Sequence, residues 1–417
     1  MLKLKKIHVN PTFNLSSLLC YFIMIPFLHP RGFDEYSSLY KNFFTAWLYG
    51  SLAIIIALYC ADVAKGKARY NKSLMYMLSY FGLSIIITMA IQHGLGVGLQ
   101  KMIAAPVLCM VCAYYLRHDT RVFLDCLCNL LIIVLGLTVV VFNSFFFGQY
   151  FRDEIHLMFI GHVQIGAQLG LLGIFLAFLL NRIRGEWSWR TVALLTFSVG
   201  TMVMSLTSSS FLSLFVLIVG LIYTKISKRG KLLRMNPDIF LIIYLLLNIM
   251  LFGMLALNNW QLPFSFLSLN GRNHIWKEGM RLFSERKLFG YGVHGVLIKV
   301  FWSRWNANGR DGMNYAHNQM IQVLLDGGII LFISFLMMLR SYLQPLKKVE
   351  KSVGAFARIC LMAVIVVMVV ESTFEYYYIL LFLSLIAYLP EIMTIEYPVG
   401  RMKGVLEKYG VSFSYKK

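Results

Sequence analysis

Arg272 and His317 have side chains suited to moving a charged leaving group and a proton. A guanidinium presents a planar fork of N–H donors that matches phosphate or carboxylate oxygens two at a time. An imidazole exchanges its proton near neutral pH and is the commonest general base. Arg272 follows Asn270-Gly271 at the start of an amphipathic stretch, residues 272–289, in which Trp276, Met280 and Phe283 recur at helical spacing beside Ile275 and Leu282. Free backbone N–H groups and the helix dipole favour an anion at such a start, and the apolar face could lie in the plane of a membrane. The stretch ends at Gly290-Tyr291-Gly292, where glycines allow a tight turn and close backbone approach. His317 lies in Tyr315-Ala316-His317-Asn318-Gln319, at the mouth of an apolar run that contains Asp326-Gly327-Gly328. There it is near enough to water to titrate and near enough to lipid to meet a membrane-anchored molecule.

The elements that must position these residues are membrane helices. The 417-residue chain is 59% hydrophobic and has a mean hydropathy of +0.68, far from a globular composition. Apolar runs long enough to span hydrocarbon fall near 13–29, 43–62, 74–92, 102–116, 122–143, 157–180, 190–207, 210–225, 239–257, 319–340, 357–374 and 376–393. They predict an all-α polytopic membrane protein of about twelve transmembrane helices. Most Lys and Arg fall on alternate breaks, from Lys3, Lys5 and Lys6 through Lys65, Arg117, Arg182, Lys228 and Lys347 to Lys416 and Lys417. The positive-inside rule then places both termini in the cytoplasm. The net charge of +20 reads as this orientation signal and as contact with anionic lipid headgroups, with no nucleic acid implied. Lys3, Lys5 and Lys6 precede the first apolar run as in a secretory signal, but Pro26, His29, Pro30 and Arg31 follow in place of a small-residue cleavage site. That run is therefore expected to be a retained span.

Three regions follow: helices 1–9 over residues 1–256, a large extracytoplasmic loop over 257–318, and helices 10–12 with a cytoplasmic tail over 319–417. The loop carries Arg272, Lys277, Arg281, Arg286, Lys287, Lys299, Arg304 and Arg310 against Glu278, Glu285 and Asp311. Positive charge kept on the side where topology disfavours it points to an anionic ligand, and beside a membrane a lipid-linked phosphate is a natural candidate. The plainer alternative is that long loops escape the charge rule. All seven cysteines lie in or beside apolar runs. Cys109 and Cys112 have C-x-x-C spacing, but no second pair or His cluster completes a four-ligand metal site, so core packing is expected. The loop holds no D-x-D or His-rich motif, and activity without a divalent metal or other cofactor is the expectation.

The order and spacing of these motifs resemble those of the bacterial O-antigen ligase and Wzy-type polysaccharide polymerase superfamily. The matching pattern is Arg272-x-x-x-Trp276, Gly290-Tyr291-Gly292, His317-Asn318 opening a span, and Gly327-Gly328 within it. It covers residues 190–345 well and the first five spans only through hydropathy. Where relatives often carry Ser-Arg-Gly, this chain has Thr207-Ser208-Ser209-Ser210-Phe211 and no arginine. A second cation would then come from Arg152, with Arg281 and Arg304 behind it. Gly161-His162-Val163-Gln164, read as part of the sixth span, is similar to a short polar motif of many polymerases, with Gln164 where Asn is usual, and Gln164 and Gln168 stand one helical turn apart.

The resemblance implies a GT-C-like membrane glycosyltransferase of the bacterial inner membrane, a repeat-unit polymerase. A glycan on undecaprenyl diphosphate would be transferred to a sugar hydroxyl of a second lipid-linked acceptor, building O-antigen, capsule or exopolysaccharide. Arg272 would stabilise the leaving diphosphate and His317 would take the acceptor proton in one inverting displacement. Tyr291, Asn318, Gln164, Gln168, Arg152, Arg281 and Arg304 are candidate substrate-binding residues. Asp326, Glu371 and Glu375 could orient His317 or bind sugar hydroxyls. Membrane lipids, a flippase and a chain-length regulator are implied partners. Two alternatives stay open: a ligase that moves finished glycan onto a lipid acceptor, and a flippase or transporter, against which stand the basic loop and the lack of internal repeats.

Overall fold

The computed structural model describes residues 15–67, 71–92, 99–141, 150–152, 155–226, 236–256, 272–299, 312–349 and 351–395. In order, the longer helices are α1 (Leu15–Leu28), α2 (Ser38–Ala64), α3 (Lys72–Gln92), α4 (Leu99–His118), α5 (Thr120–Gly136), α6 (Ile165–Arg184), α7 (Trp189–Met204) and α8 (Ser208–Ile226). They are followed by α9 (Asp238–Ala256), α10 (Arg272–Glu285), α11 (Gln319–Leu343), α12 (Lys351–Val370), α13 (Tyr378–Ala387) and the short α14 (Leu389–Ile392). Among the described residues, seven helices (α2, α3, α5, α6, α8, α11 and α12) are long and apolar enough to cross a membrane. Shorter apolar helices α1, α4, α7, α9 and α13 fall on the remaining expected spans. The protein is thus a polytopic, predominantly α-helical membrane protein. Residues 1–14 and 396–417, the expected cytoplasmic ends, lie outside the described residues.

Two features depart from a purely helical reading. Strands β1 (Tyr150–Arg152), β2 (Ile155–Met158) and β3 (Gly161–His162) form a small antiparallel sheet, and β4 (Ile298–Lys299) pairs with β5 (Gly312–Met313). The expected sixth span therefore begins later, at Ile165, because residues 155–162 pair as β2 and β3, with Gly161 opening β3 at a positive φ of 116°. A continuous apolar run does not by itself separate a strand from the first turn of a helix.

Burial identifies the centre of the bundle. The best apolar window of α6 is 83% buried, against 17% in α2 and 22% in α8, and every residue of α13 is buried. Phe43, Ile56, Phe215, Ile222 and Leu246 instead expose large apolar side chains, as lipid-facing positions require. Gly166, Gly170 and Gly173 let α7 approach α6 closely: a Cβ there would come within 2.7 Å of Ser205, 2.1 Å of Met202 and 2.0 Å of Ser198. Cys109 and Cys112 are buried in the core on α4.

Hydrogen bonds gather one set of connections at a single end of the bundle. Gly32 donates to the Phe159 carbonyl at 3.0 Å, and the Arg31 guanidinium bonds the Tyr377 hydroxyl. Gln92, closing α3, donates to the carbonyls of Tyr291 and Val293, each at 3.1 Å. The opposite end carries ion pairs of Asp125 with Arg184 and Arg190, and of Asp238 with Arg340.

Candidate active site

Helix α10 forms because its apolar residues repeat on one face, and that face is used against protein: Ile275, Trp276, Gly279 and Leu282 are buried. They pack with Leu251, Ile298, Met313, Ala316, Ile321 and Leu325 in a second apolar cluster. A helix lying free on the membrane plane would leave this face to lipid, so the docking corrects that expectation. Gly279 brings α10 against α11, where a Cβ would stand 2.8 Å from Ile321 Cγ2.

The glycine motifs explain one another. Helix α11 is broken at Gly327 and Gly328, the latter with φ 65° and ψ −161°, a conformation that side chains resist. The break opens the backbone to the turn after α10. Tyr291 N–H donates to the Leu325 carbonyl at 2.7 Å, and Ile329 N–H to the Lys287 carbonyl at 2.8 Å. A Cβ on Gly328 would meet the Leu288 carbonyl at 2.2 Å, and one on Gly290 the Leu325 oxygen at 2.3 Å. These two backbones touch directly, which fixes α10 and hence Arg272 and Trp276.

Arg272 and Trp276, one helical turn apart, then hold the ends of two other helices. Arg272 donates through Nη1 to the Val370 carbonyl at 2.9 Å and through Nη2 to Glu371 Oε1 at 2.5 Å. Trp276 donates its indole N–H to the His317 carbonyl at 3.2 Å. Asn318 caps α11 through Ile321 N–H and donates to the Val369 carbonyl and Asn248 Oδ1, each at 2.8 Å. The carbonyls of Val369 and Val370, left over at the C-terminus of α12, are thus satisfied by motif side chains.

The outcome is that Arg272 and His317 meet on one carboxylate. His317 Nδ1 lies 3.1 Å from Glu371 Oε2, and Arg272 occupies the other oxygen. Burial opposes ionisation of Glu371, but Arg272 and then His317 outweigh it and hold the carboxyl below its ordinary value. An ionised carboxylate only accepts, so Nδ1 carries a proton, and in a neutral imidazole the lone pair would sit on Nε2. The Gln164 amide nitrogen, Nε2, lies 3.1 Å from the same imidazole nitrogen.

Gln164 and Glu371 belong to the wall of a cleft of about 360 Å³, lined also by His294, Asn314, Tyr315, Ser372, Glu375 and Tyr376. The Tyr315 ring stands 4.4 Å from that of His317. Burial raises the Tyr315 and Tyr376 phenols, which remain O–H donors at neutral pH.

The remaining sequence candidates are placed as follows. Gln168 is buried one turn deeper in α6, and its Oε1 has no hydrogen-bond partner among the described residues. Asn318 is a fully buried cap. Tyr291 donates its hydroxyl to the Leu282 carbonyl and Glu285, under the Arg286 guanidinium. Arg281 is exposed and pairs with Glu278 and Glu285 on its own helix, away from the cleft. Arg152 ends β1, its side chain outside the described residues, as is all of Arg304. Sequence reasoning missed His294 and Tyr376, whose only signal was nearness to Gly290-Tyr291-Gly292 and to Glu375.

Residues 192–336 match the family model described as O-antigen ligase. This stretch is similar to an O-antigen ligase domain. No curated relative matches the chain in sequence. The matched stretch holds Arg272, Trp276, His317, Asn318 and both glycine motifs, whereas Gln164 and Glu371, which flank the His317 imidazole, come from outside it. The family supports a polysaccharide-related membrane enzyme acting on lipid-linked oligosaccharide.

Proposed function

We propose that the protein is a repeat-unit polymerase of the bacterial inner membrane, working at the outer face with about twelve crossings and cytoplasmic termini. It joins undecaprenyl-diphosphate-linked oligosaccharides into surface polysaccharide. The observation that carries this reading is the Glu371 carboxylate gripped on one oxygen by Arg272 and on the other by His317.

In the proposed step, His317 Nε2 takes the proton of an acceptor sugar hydroxyl. That oxygen attacks the anomeric carbon of the donor from the face opposite the diphosphate, whose C–O bond breaks with inversion. Glu371 fixes the tautomer and stabilises the imidazolium that forms, as carboxylates do in other His-based sites. Arg272 keeps Glu371 ionised, and its remaining N–H groups face the growing charge of the leaving group. Basic residues such as Arg152 and Arg304 supply further positive charge to the diphosphate.

The ligase reading is favoured by the description of the matched family. The polymerase reading is supported by the polar Gly161–Gln168 stretch, which is similar to that branch and from which Gln164, standing where Asn is usual, contacts His317. Deleting the gene and inspecting surface glycan decides between them. A polymerase mutant leaves single repeats on the acceptor in place of a ladder; a ligase mutant accumulates full-length ladders on the lipid carrier. Purified protein in liposomes with lipid-linked repeats tests the reaction itself, and a protein that only flips its lipid would release no undecaprenyl diphosphate.

A further inference from the structure

A crevice of about 190 Å³ lies between the last turns of α6 and the first turns of α12. The two helices run antiparallel: α6 starts beside Gln164 and α12 ends beside Glu371, and both of those side chains reach His317. The pair that flanks the candidate base at one end of the bundle therefore frames this crevice at the other.

Its lining is graded from core to surface. Phe175 and Val353 are buried, Phe178 and Phe356 are half-buried, and Arg182 and Ser352 are exposed. The rings form one apolar wall, with the Phe356 centroid 4.3 Å from that of Phe178 and 6.3 Å from that of Phe175. Asn181, Arg182 and Ser352 supply the polar part, and no carboxylate lines the crevice among the described residues. An apolar slot with a cation at its mouth matches an acyl chain joined to an anionic headgroup.

The neighbouring residues set its height in the membrane. Helix α6 is capped by Gly185 in the left-handed conformation. Just beyond, Trp187 and Trp189 are 45% and 76% exposed, and Trp187 meets the Phe178 ring edge-on at 5.3 Å. Tryptophan gathers where hydrocarbon gives way to headgroups, so the mouth stands at headgroup level and the phenylalanine wall reaches into hydrocarbon. An arginine stem lies along apolar surface while its charged end extends toward phosphate. Arg182 has interactions of its own within the protein, and the five N–H donors of a guanidinium can serve a phosphate oxygen in addition.

We propose that this crevice binds one phospholipid with an anionic headgroup, from the leaflet opposite the candidate active site. An acyl chain lies against Phe175, Phe178 and Phe356, the phosphate rests on Arg182, and the bound lipid braces α6 against α12. Binding requires no glycosyl transfer, so the site stands or falls apart from the transferase reading.

The test uses the purified full chain in detergent, with phosphatidylglycerol and zwitterionic phosphatidylcholine of the same acyl chains as probes. Native mass spectrometry should show one phosphatidylglycerol retained on wild type at activation energies that strip other lipid. The same lipid should raise the melting temperature more than phosphatidylcholine does. Arg182→Gln, at an exposed position, should keep the fold and cut the preference for phosphatidylglycerol by about fivefold. Val353→Phe fills the crevice and should abolish retention of both lipids; if that variant folds poorly, the Arg182→Gln comparison decides. Equal affinity of wild type for the two lipids, or an unchanged preference in Arg182→Gln, would overturn the site, as would a retained lipid in folded Val353→Phe. If lipid is retained only after residues 396–417 are removed, that segment is the occupant and the proposal fails.

Discussion

Arg272 and Glu371 form a nearly dry ion pair, Nη2 to Oε1 at 2.5 Å, with the two side chains 14% and 3% exposed. Removing one partner of such a pair strands a buried charge and typically costs about 3–5 kcal/mol. Arg272→Met and Glu371→Gln should each lower thermal stability in detergent, and the double variant should lose less than the sum of the two. Additive losses in a double-mutant cycle would show that the pair is not coupled.

His317→Ala should keep the fold and lose transfer. General-base help is worth about 10²–10⁴ in rate, enough to remove visible polymer from cells. Melting temperature and polymer yield together check this, and unchanged polymer length and yield would remove His317 from the mechanism.

The depressed Glu371 carboxyl makes a signed pH prediction. Its ordinary value is 4.5 and its folded value lies lower. It therefore contributes stability that is fully present above pH 4.5 and is lost as pH falls through the folded value. The melting-temperature gap between wild type and Glu371→Gln should be constant near neutrality and shrink on acidification below that range. A gap that widened in acid would contradict the assignment.

Gly328→Ala tests the docking of α10. The new methyl group would press on the Leu288 carbonyl and the backbone would keep a positive φ, a strain of about 1–3 kcal/mol. Activity should fall through misplacement of Arg272 and Trp276, although neither is altered. A crosslink between cysteines placed on α10 and α11 would report the displacement.

Transfer should continue in excess chelator, because the proposed roles fall to Arg272, His317 and Glu371. Product analysis with and without a chelator measures it, and loss of activity that added Mg²⁺ or Mn²⁺ restores would replace Arg272 as the main stabiliser of the leaving group.

Much of this site was visible in the linear chain, and the reasons differ by residue. Arg272 and Trp276 share a helical face by spacing alone, and His317-Asn318 opens a span because an apolar run begins there. The apolar runs likewise foretold α2, α3, α5, α6, α8, α11 and α12 at spanning length. The start of α6 was misplaced because the short polar stretch Gly161–Gln164 lies between two apolar runs that hydropathy joins into one span, whereas residues 155–162 pair as strands. Arg281 looked like Arg272 in charge and helix, yet its angular position turns it to Glu278 and Glu285.

By itself the sequence determined periodicity, hydropathy, and the residue types able to handle a proton and an anion. These are local properties, written within a few turns of chain. Only the tertiary structure decided that Glu371 joins Arg272 to His317, that Gln164 closes on the same ring, and that His294 faces Glu375. Those partnerships depend on which helix ends meet, and that is set by packing between segments far apart in the chain: the glycine faces of α6 and the broken backbone of α11.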